Sequence, residues 1–156
     1  MTEIEFINTR FNPDITPFHN HAKTMAAAFG YTAKLKVDQK LAQLLRLRVS
    51  QKNECAYCII LHSKFARDIG IHESKVDNIS SWYNSDLYTD KEKVALSYCD
   101  ALTKGITKNF QSYHDELLEY CDEVQIAEIA SIVINMNLWT RLKLAQGATP
   151  RLEDVK

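Results

Sequence analysis

The 156-residue chain is poor in residues that interrupt regular structure, with only four Gly and three Pro. So few turn-forming residues argue against a fold built from many short strands and favour helices. An excess of charge of either sign is also missing, because 19 Lys and Arg face 20 Asp and Glu, for a net charge of -1. This balance excludes a strongly basic surface, so we expect no nucleic-acid partner.

Long apolar runs and a secretory signal are missing as well. No stretch approaches the ~20 apolar residues that cross a bilayer, so we expect no membrane association. The first ten residues, MTEIEFINTR, are acidic where a signal peptide would be basic and then apolar, which predicts a cytoplasmic protein. Neither repeats nor linkers divide the chain, and its length suits a single domain over residues 1–156.

Apolar periodicity and capping residues predict an all-α bundle of six or seven helices. The stretch up to Ile15 is predicted to be extended or irregular, and no alternating pattern predicts a strand anywhere. The last predicted helix is apolar on nearly all faces, which places it at the centre of the domain or between the core and a subunit interface. The predicted helices cover about residues 17–30, 38–52, 55–69, 73–82, 90–104, 113–120 and 122–146.

The motif with the clearest chemistry is a C-x-x-C followed by a histidine. At 100° per residue on a helix, Cys55, Cys58 and His62 fall within about 60° of one another. Tyr57, between the two cysteines, is predicted to face away from them. Two thiols and an imidazole on one apolar stripe predict a reactive pocket that these three side chains share.

This arrangement suits dithiol chemistry. Helical residues three positions apart lie about 5–6 Å apart, within the span of a disulfide. Cys55 is predicted in the first helical turn, where free N–H groups favour a thiolate, whereas His62 can exchange a proton with Cys58 directly or through one water. A thiolate formed here could attack a peroxide oxygen or a disulfide sulfur, and the neighbouring thiol would capture the product.

Two other interpretations of the motif remain open. The cysteines could be small buried side chains beside a core histidine. They could instead hold zinc, although no second C-x-x-C or H-x-x-x-H supplies further ligands. We expect no metal and no cofactor, since the chain has no Gly-rich phosphate loop and no flavin or nicotinamide fingerprint.

The stretch LAQLLRLRVSQKNECAYCIILHSKFARDIGI (residues 41–71) resembles the core of the carboxymuconolactone decarboxylase / AhpD-like alkylhydroperoxidase family. The closest branch typically has the pattern R-V-S-Q-x-N-x-C-x-Y-C-x-x-x-H-x-x-x-A-R, which this chain matches from Arg48 to Arg67. The later segments DKEKVALSYCDALTKG and IVINMNLWTRLKLA also look like the downstream helices of that family. The similarity covers about residues 10–148.

The resemblance implies an all-α homo-oligomer, commonly a trimer or hexamer, and a peroxidase or disulfide reductase. By this resemblance, Cys58 is the residue that reacts with peroxide, while Cys55 resolves the sulfenic acid and exchanges with a dithiol or protein electron donor. The helix-terminus argument favours Cys55 as the more acidic thiol, whereas His62 and the resemblance favour Cys58. Because muconolactone decarboxylation uses no cysteine pair, the motif favours reduction of a hydroperoxide over decarboxylation.

The chain departs from the family pattern at Gln43. Many members carry a glutamate twelve residues before the first cysteine, and that glutamate joins the histidine in a proton relay. Gln43 can hydrogen-bond and orient His62, but it cannot take a proton. The alternative function is therefore a thiol-disulfide sensor or oligomeric binding module with weak catalysis. From the last helix, Asn135, Trp139 and Arg141 could approach the dithiol.

Overall fold

The computed structural model describes residues 3–153, so the first two and the last three residues of the predicted domain lie outside the described residues. Seven α-helices and a two-stranded sheet make up the regular structure, which confirms the predicted all-α bundle. In chain order they are β1 Ile4–Asn8, α1 Phe18–Phe29, α2 Gln39–Lys52, α3 Ala56–Asp68, α4 Glu73–Asn78, α5 Asp90–Lys104, α6 Phe110–Leu118, α7 Glu123–Gln146 and β2 Ala148–Leu152.

Local capping residues set most helix ends where the sequence predicts them. The Asp38 side chain accepts hydrogen bonds from two backbone N–H groups at the start of α2. Thr89 and Asp122 each form a capping box at the start of α5 and α7. Gly105 and Gly147 end those two helices with φ of 68° and 73°, a left-handed conformation that favours glycine.

Two predicted helices differ from the structure. The helix predicted over 73–82 is α4 followed by a 3-10 helix, Ile79–Asn84, because Ser81 leaves helical geometry with φ of -119°. Helix α6 begins at Phe110, three residues before the predicted start. It begins there because Asn109 takes a left-handed φ of 62° and turns the chain into the helix.

The prediction that the chain contains no strands is wrong. β1 pairs with β2 in antiparallel register, from Ile4 opposite Leu152 to Asn8 opposite Ala148. Most of the side chains in β1 are exposed, so neither face shows the alternation that identifies a half-buried strand. The partners also lie at opposite ends of the chain, where no hairpin turn could signal the pairing.

Helix α2 is the central helix, and every residue from Leu41 to Ser50 is buried. It packs against α3, α5 and α7. Helix α7 instead forms a wall, because it buries Ile129 and Val133 but exposes Ile134 on its outer side. The predicted trimer or hexamer stays a prediction. Among the helices of residues 3–153, none combines the length and hydropathy that a bilayer crossing needs.

Candidate active site

The C-x-x-C lies at the junction of α2 and α3. Glu54 takes a positive φ of 52° in the tight turn between the helices. Cys55 is then the N-cap of α3, not a first-turn residue, and its Sγ accepts the backbone N–H of Cys58 at 3.2 Å. Both thiols are free and buried. The motif therefore presents a reduced dithiol at a helix N-terminus.

The two thiols differ in acidity. Interaction with the neighbouring Cys58 thiol lowers the pKa of Cys55, with smaller contributions from the backbone N–H groups of Cys58 and Tyr57. The same interaction, together with burial, raises the pKa of Cys58. Cys55 is therefore the more acidic of the two thiols, in the direction that the helix-terminus argument favours.

The two cysteines open onto different spaces. Cys58 and His62 line an apolar cavity of about 170 Å³, whereas Cys55 lines a separate groove of about 290 Å³. The predicted shared pocket is therefore correct for Cys58 and His62 and wrong for Cys55. The reason is that Cys55 has extended backbone angles, φ of -83° and ψ of 102°, so the helical wheel does not apply to it. The cavity is lined by Ala26, Gly30, Tyr31, Tyr57, Cys58, Leu61, His62, Asn135, Met136 and Trp139.

His62 is held as a neutral imidazole. The Gln43 amide donates from Nε2 to His62 Nδ1 at 3.1 Å and to the His62 carbonyl oxygen at 3.0 Å. Burial and the charge of Arg46 lower the pKa of His62 to about 3. Because Nδ1 accepts a hydrogen bond, the ring proton lies on Nε2. In this state His62 can donate a hydrogen bond, and its predicted part in a proton relay stays a prediction.

Two buried arginines on α2 differ in whether a carboxylate neutralises their charge. Arg48 forms a bidentate ion pair with Asp100 at 2.8 and 2.9 Å. Arg46 is 2% exposed, yet within residues 3–153 its guanidinium bonds only to Gln43 Oε1 at 3.2 Å and the Phe29 carbonyl at 3.1 Å. Its Nε has no partner among the described residues, and burial lowers its pKa to about 10. An unneutralised cation behind His62 disfavours the imidazolium.

Sequence reasoning missed two residues of the site. Tyr57 is predicted to face away, but it lines the apolar cavity and its ring packs edge-on against Phe6. The Lys143 Nζ lies 4.3 Å from the centre of the Tyr57 ring and 5.5 Å from that of Trp139. No local pattern could reveal Lys143, because it reaches the motif from the last turn of α7.

The predicted approach of α7 to the dithiol is correct in part. Asn135 and Trp139 line the cavity of Cys58, whereas Arg141 lies at another surface with Lys52 and Asn53. Within residues 3–153, no three His, Cys, Asp or Glu side chains converge in a way that could hold a metal ion.

Solved structures share this fold. A protein of unknown function from Agrobacterium tumefaciens, described as a candidate AhpD for antioxidant defence, superposes with a TM-score of 0.84 at 24% identity, covering 93% of this chain and 99% of that one. The debrominase Bmp8, as a variant in complex with 2,3,4-tribromopyrrole, superposes with a TM-score of 0.71 at 23% identity, covering 92% of this chain and 73% of that one. At these identities the likeness establishes the fold.

Sequence comparison establishes the family. The Bacillus subtilis (strain 168) protein named "Uncharacterized protein YdfG" is 32% identical over 119 residues, which cover 75% of this chain and 80% of YdfG. The sequence profile of the carboxymuconolactone decarboxylase family matches residues 20–101. This match begins within α1, continues through α2, α3 and α4 and covers most of α5, and so includes the whole C-x-x-C-x-x-x-H motif. The chain therefore belongs to the carboxymuconolactone decarboxylase family.

Proposed function

We propose that the protein is a thiol-dependent peroxidase that reduces hydroperoxides through Cys55 and Cys58. The observation that carries the proposal is the placement of one reduced dithiol between two spaces. Cys58 meets an apolar cavity beside His62, while Cys55 meets a separate groove. An organic hydroperoxide suits the apolar cavity, and a dithiol electron donor suits the opposite side.

In the first step, the Cys58 thiol passes its proton to the neighbouring Cys55 thiolate, whose Sγ accepts the Cys58 backbone N–H. The Cys58 thiolate then attacks the terminal oxygen of the hydroperoxide. The O–O bond breaks, a Cys58 sulfenic acid forms, and the leaving alkoxide takes a proton from solvent to become an alcohol, while the Cys55 thiol releases its proton to solvent. Cys55 thus acts as the base that Gln43 cannot be.

In the second step, the restored Cys55 thiolate attacks the sulfenic sulfur of Cys58. A disulfide forms, and the hydroxide that leaves is protonated by solvent to water. A donor dithiol then reduces the disulfide by thiol–disulfide exchange and becomes a disulfide itself. The sum is one hydroperoxide and one donor dithiol converted to alcohol, water and donor disulfide.

The role that the geometry supports for His62 is to donate from Nε2. Its Nδ1 is occupied by Gln43, and its neutral ring lines the same cavity as Cys58. A hydrogen bond from Nε2–H to the leaving oxygen would stabilise the negative charge that develops as the O–O bond breaks. This role needs no change in the protonation of the ring.

The test is turnover of cumene hydroperoxide, hydrogen peroxide and 2,3,4-tribromopyrrole with dithiothreitol as donor. We expect consumption of the hydroperoxides, and a fall of at least about 100-fold in Cys58→Ser because the attacking sulfur is lost. Cys121→Ser is the matched control and should keep the wild-type rate. Equal rates in wild type and Cys58→Ser would refute the proposal, and turnover of the bromopyrrole alone would replace it with a dehalogenase.

A thiol-disulfide sensor is the second candidate, and position 43 favours it. Gln43 offers His62 an amide where a relay glutamate would accept a proton, and Arg46 keeps the imidazole neutral. A sensor would form its disulfide once per oxidant molecule and regenerate slowly. A stoichiometric burst of peroxide consumption without continued turnover would support it over the peroxidase.

A further inference from the structure

The Cys55 thiolate needs a nearby positive charge. A thiolate in a buried position is costly unless an opposite charge or hydrogen bonds compensate it. His62 is neutral, and the Arg46 guanidinium is bonded to Gln43 and the Phe29 carbonyl. Two cations line the groove onto which Cys55 opens. The Arg10 guanidinium donates to the Leu144 carbonyl, whereas Lys143 lies against the ring of Tyr57, between the two cysteines.

Aromatic rings hold the Lys143 ammonium in place. Nζ lies 4.3 Å from the centre of the Tyr57 ring and 5.5 Å from that of Trp139. No carboxylate within residues 3–153 lies within ion-pair distance of this ammonium. A cation over two aromatic faces stays fixed without a neutralising partner, so its charge is available to a neighbouring anion.

We propose that Lys143 is a positioning residue whose positive charge favours the loss of a proton from the C-x-x-C dithiol. Position 43 of this site holds an amide, Gln43, which cannot take that proton. This inference rests on the proposed thiol chemistry of Cys55 and Cys58. Lys143 acts through its field at the two sulfurs and takes no part in bond making. Lys143 lies in the last turn of α7, so this helix would supply the positive charge for the dithiol at the start of α3.

The charges around Lys143 agree with this role. Its ammonium lowers the pKa of both Cys55 and Cys58, and the two sulfurs in turn favour the protonated lysine against the burial that lowers the Lys143 pKa. Asp14 and Lys23 also face it, with opposite effects, and the charged side chains of Arg10 and Glu54 line the same groove. His19 is tied to Asp14 by an ion-pair contact of 2.7 Å, and Tyr57 stays a neutral phenol because burial raises its pKa.

The test is the pH dependence of iodoacetamide alkylation of the reduced protein, followed by mass analysis of the peptide that contains both cysteines. Lys143→Met keeps the aliphatic packing on Tyr57 and removes the charge, so we expect its alkylation midpoint to rise by about one pH unit. Lys143→Arg should restore the wild-type midpoint. Lys108→Met, at an exposed position, is the matched control and should leave the profile unchanged. Lys143→Gln provides a second neutral variant if the Met variant does not fold.

Superimposable profiles for wild type and the neutral variants would overturn the inference, as would a shift in Lys143→Arg as large as that in Lys143→Met. The profile is independent of peroxide turnover. A Lys143-dependent midpoint in a protein that turns over no hydroperoxide would keep this inference and refute the peroxidase. Peroxide turnover with an unshifted midpoint would do the reverse.

Discussion

The two sides of the dithiol contrast within a short distance. On the Cys58 side lie an apolar cavity and the neutral ring of His62. On the Cys55 side lie backbone N–H groups at the start of α3, the Lys143 ammonium and a more polar groove. The interaction between the two thiols, followed by burial, raises the pKa of Cys58, and the same interaction lowers the pKa of Cys55, to which backbone N–H groups and Lys143 also contribute.

This contrast shows that a C-x-x-C spacing does not make its two sulfurs equivalent. The N-cap position lets the Cys55 sulfur accept the backbone N–H of Cys58, whereas Cys58 is the third residue of α3 and its pKa is raised by the Cys55 thiol and by burial. One sulfur can therefore store the negative charge while the other faces the substrate. In the proposed reaction the proton passes between the two neighbouring thiols.

The largest effects are expected when either cysteine is replaced by serine, because the two sulfurs have different roles. Cys58→Ser should lose peroxide consumption but keep rapid alkylation of Cys55, because the helix terminus still stabilises that thiolate. Cys55→Ser should lose turnover and also slow the first oxidation of Cys58 by about 100-fold, because the base is gone. Stopped-flow peroxide consumption and alkylation rates measure the two effects. If Cys58 reacts at the wild-type rate in Cys55→Ser, Cys55 is not its base.

The next effect tests the buried, neutral state of His62 through the pH dependence of protein stability. The His62 pKa is about 3 in the folded protein and 6.5 as its ordinary value, so the unfolded chain binds more protons between those values. Stability should therefore fall as the pH drops below about 6.5, by about 2 kcal/mol between pH 7.5 and 5. Denaturant unfolding of wild type and His62→Gln isolates this contribution. A difference between the two proteins that stays constant over that range would contradict the neutral, buried histidine.

The smallest effect is expected from Gln43→Glu. A carboxylate here would pair with Arg46 and could accept a proton from His62. Because Cys55 already serves as the base, the first-turnover rate should change by less than about threefold. Gln39→Glu, an exposed position on the same helix, is the control. A gain above about tenfold would show that the natural chain lacks a needed base and would favour the sensor.

Features that depend on neighbours in sequence were predictable. The caps Asp38, Thr89 and Asp122 and the terminal Gly105 act within one helical turn, so the ends they set needed no knowledge of the fold. The contact of Gln43 with His62 joins two adjacent helices, and the family pattern already pointed to that pair.

Features that depend on distant segments were not predictable. The strands β1 and β2 pair because the two ends of the chain lie beside each other. Lys143 reaches the motif from α7, a helix whose apolar pattern predicts only its burial in the core. The place of Cys55 was missed for a subtler reason. A helical wheel applies only to residues with helical backbone angles. Cys55 is the N-cap of α3 and has extended angles, so the wheel placed its side chain wrongly.

The most direct measurement is mass mapping of the reduced protein after one equivalent of cumene hydroperoxide. The account predicts a single disulfide between Cys55 and Cys58 and one equivalent of the corresponding alcohol, with Cys99 and Cys121 still free. Thiols that remain reduced, or a disulfide that involves Cys99, Cys121 or a second chain in place of this pair, would contradict it.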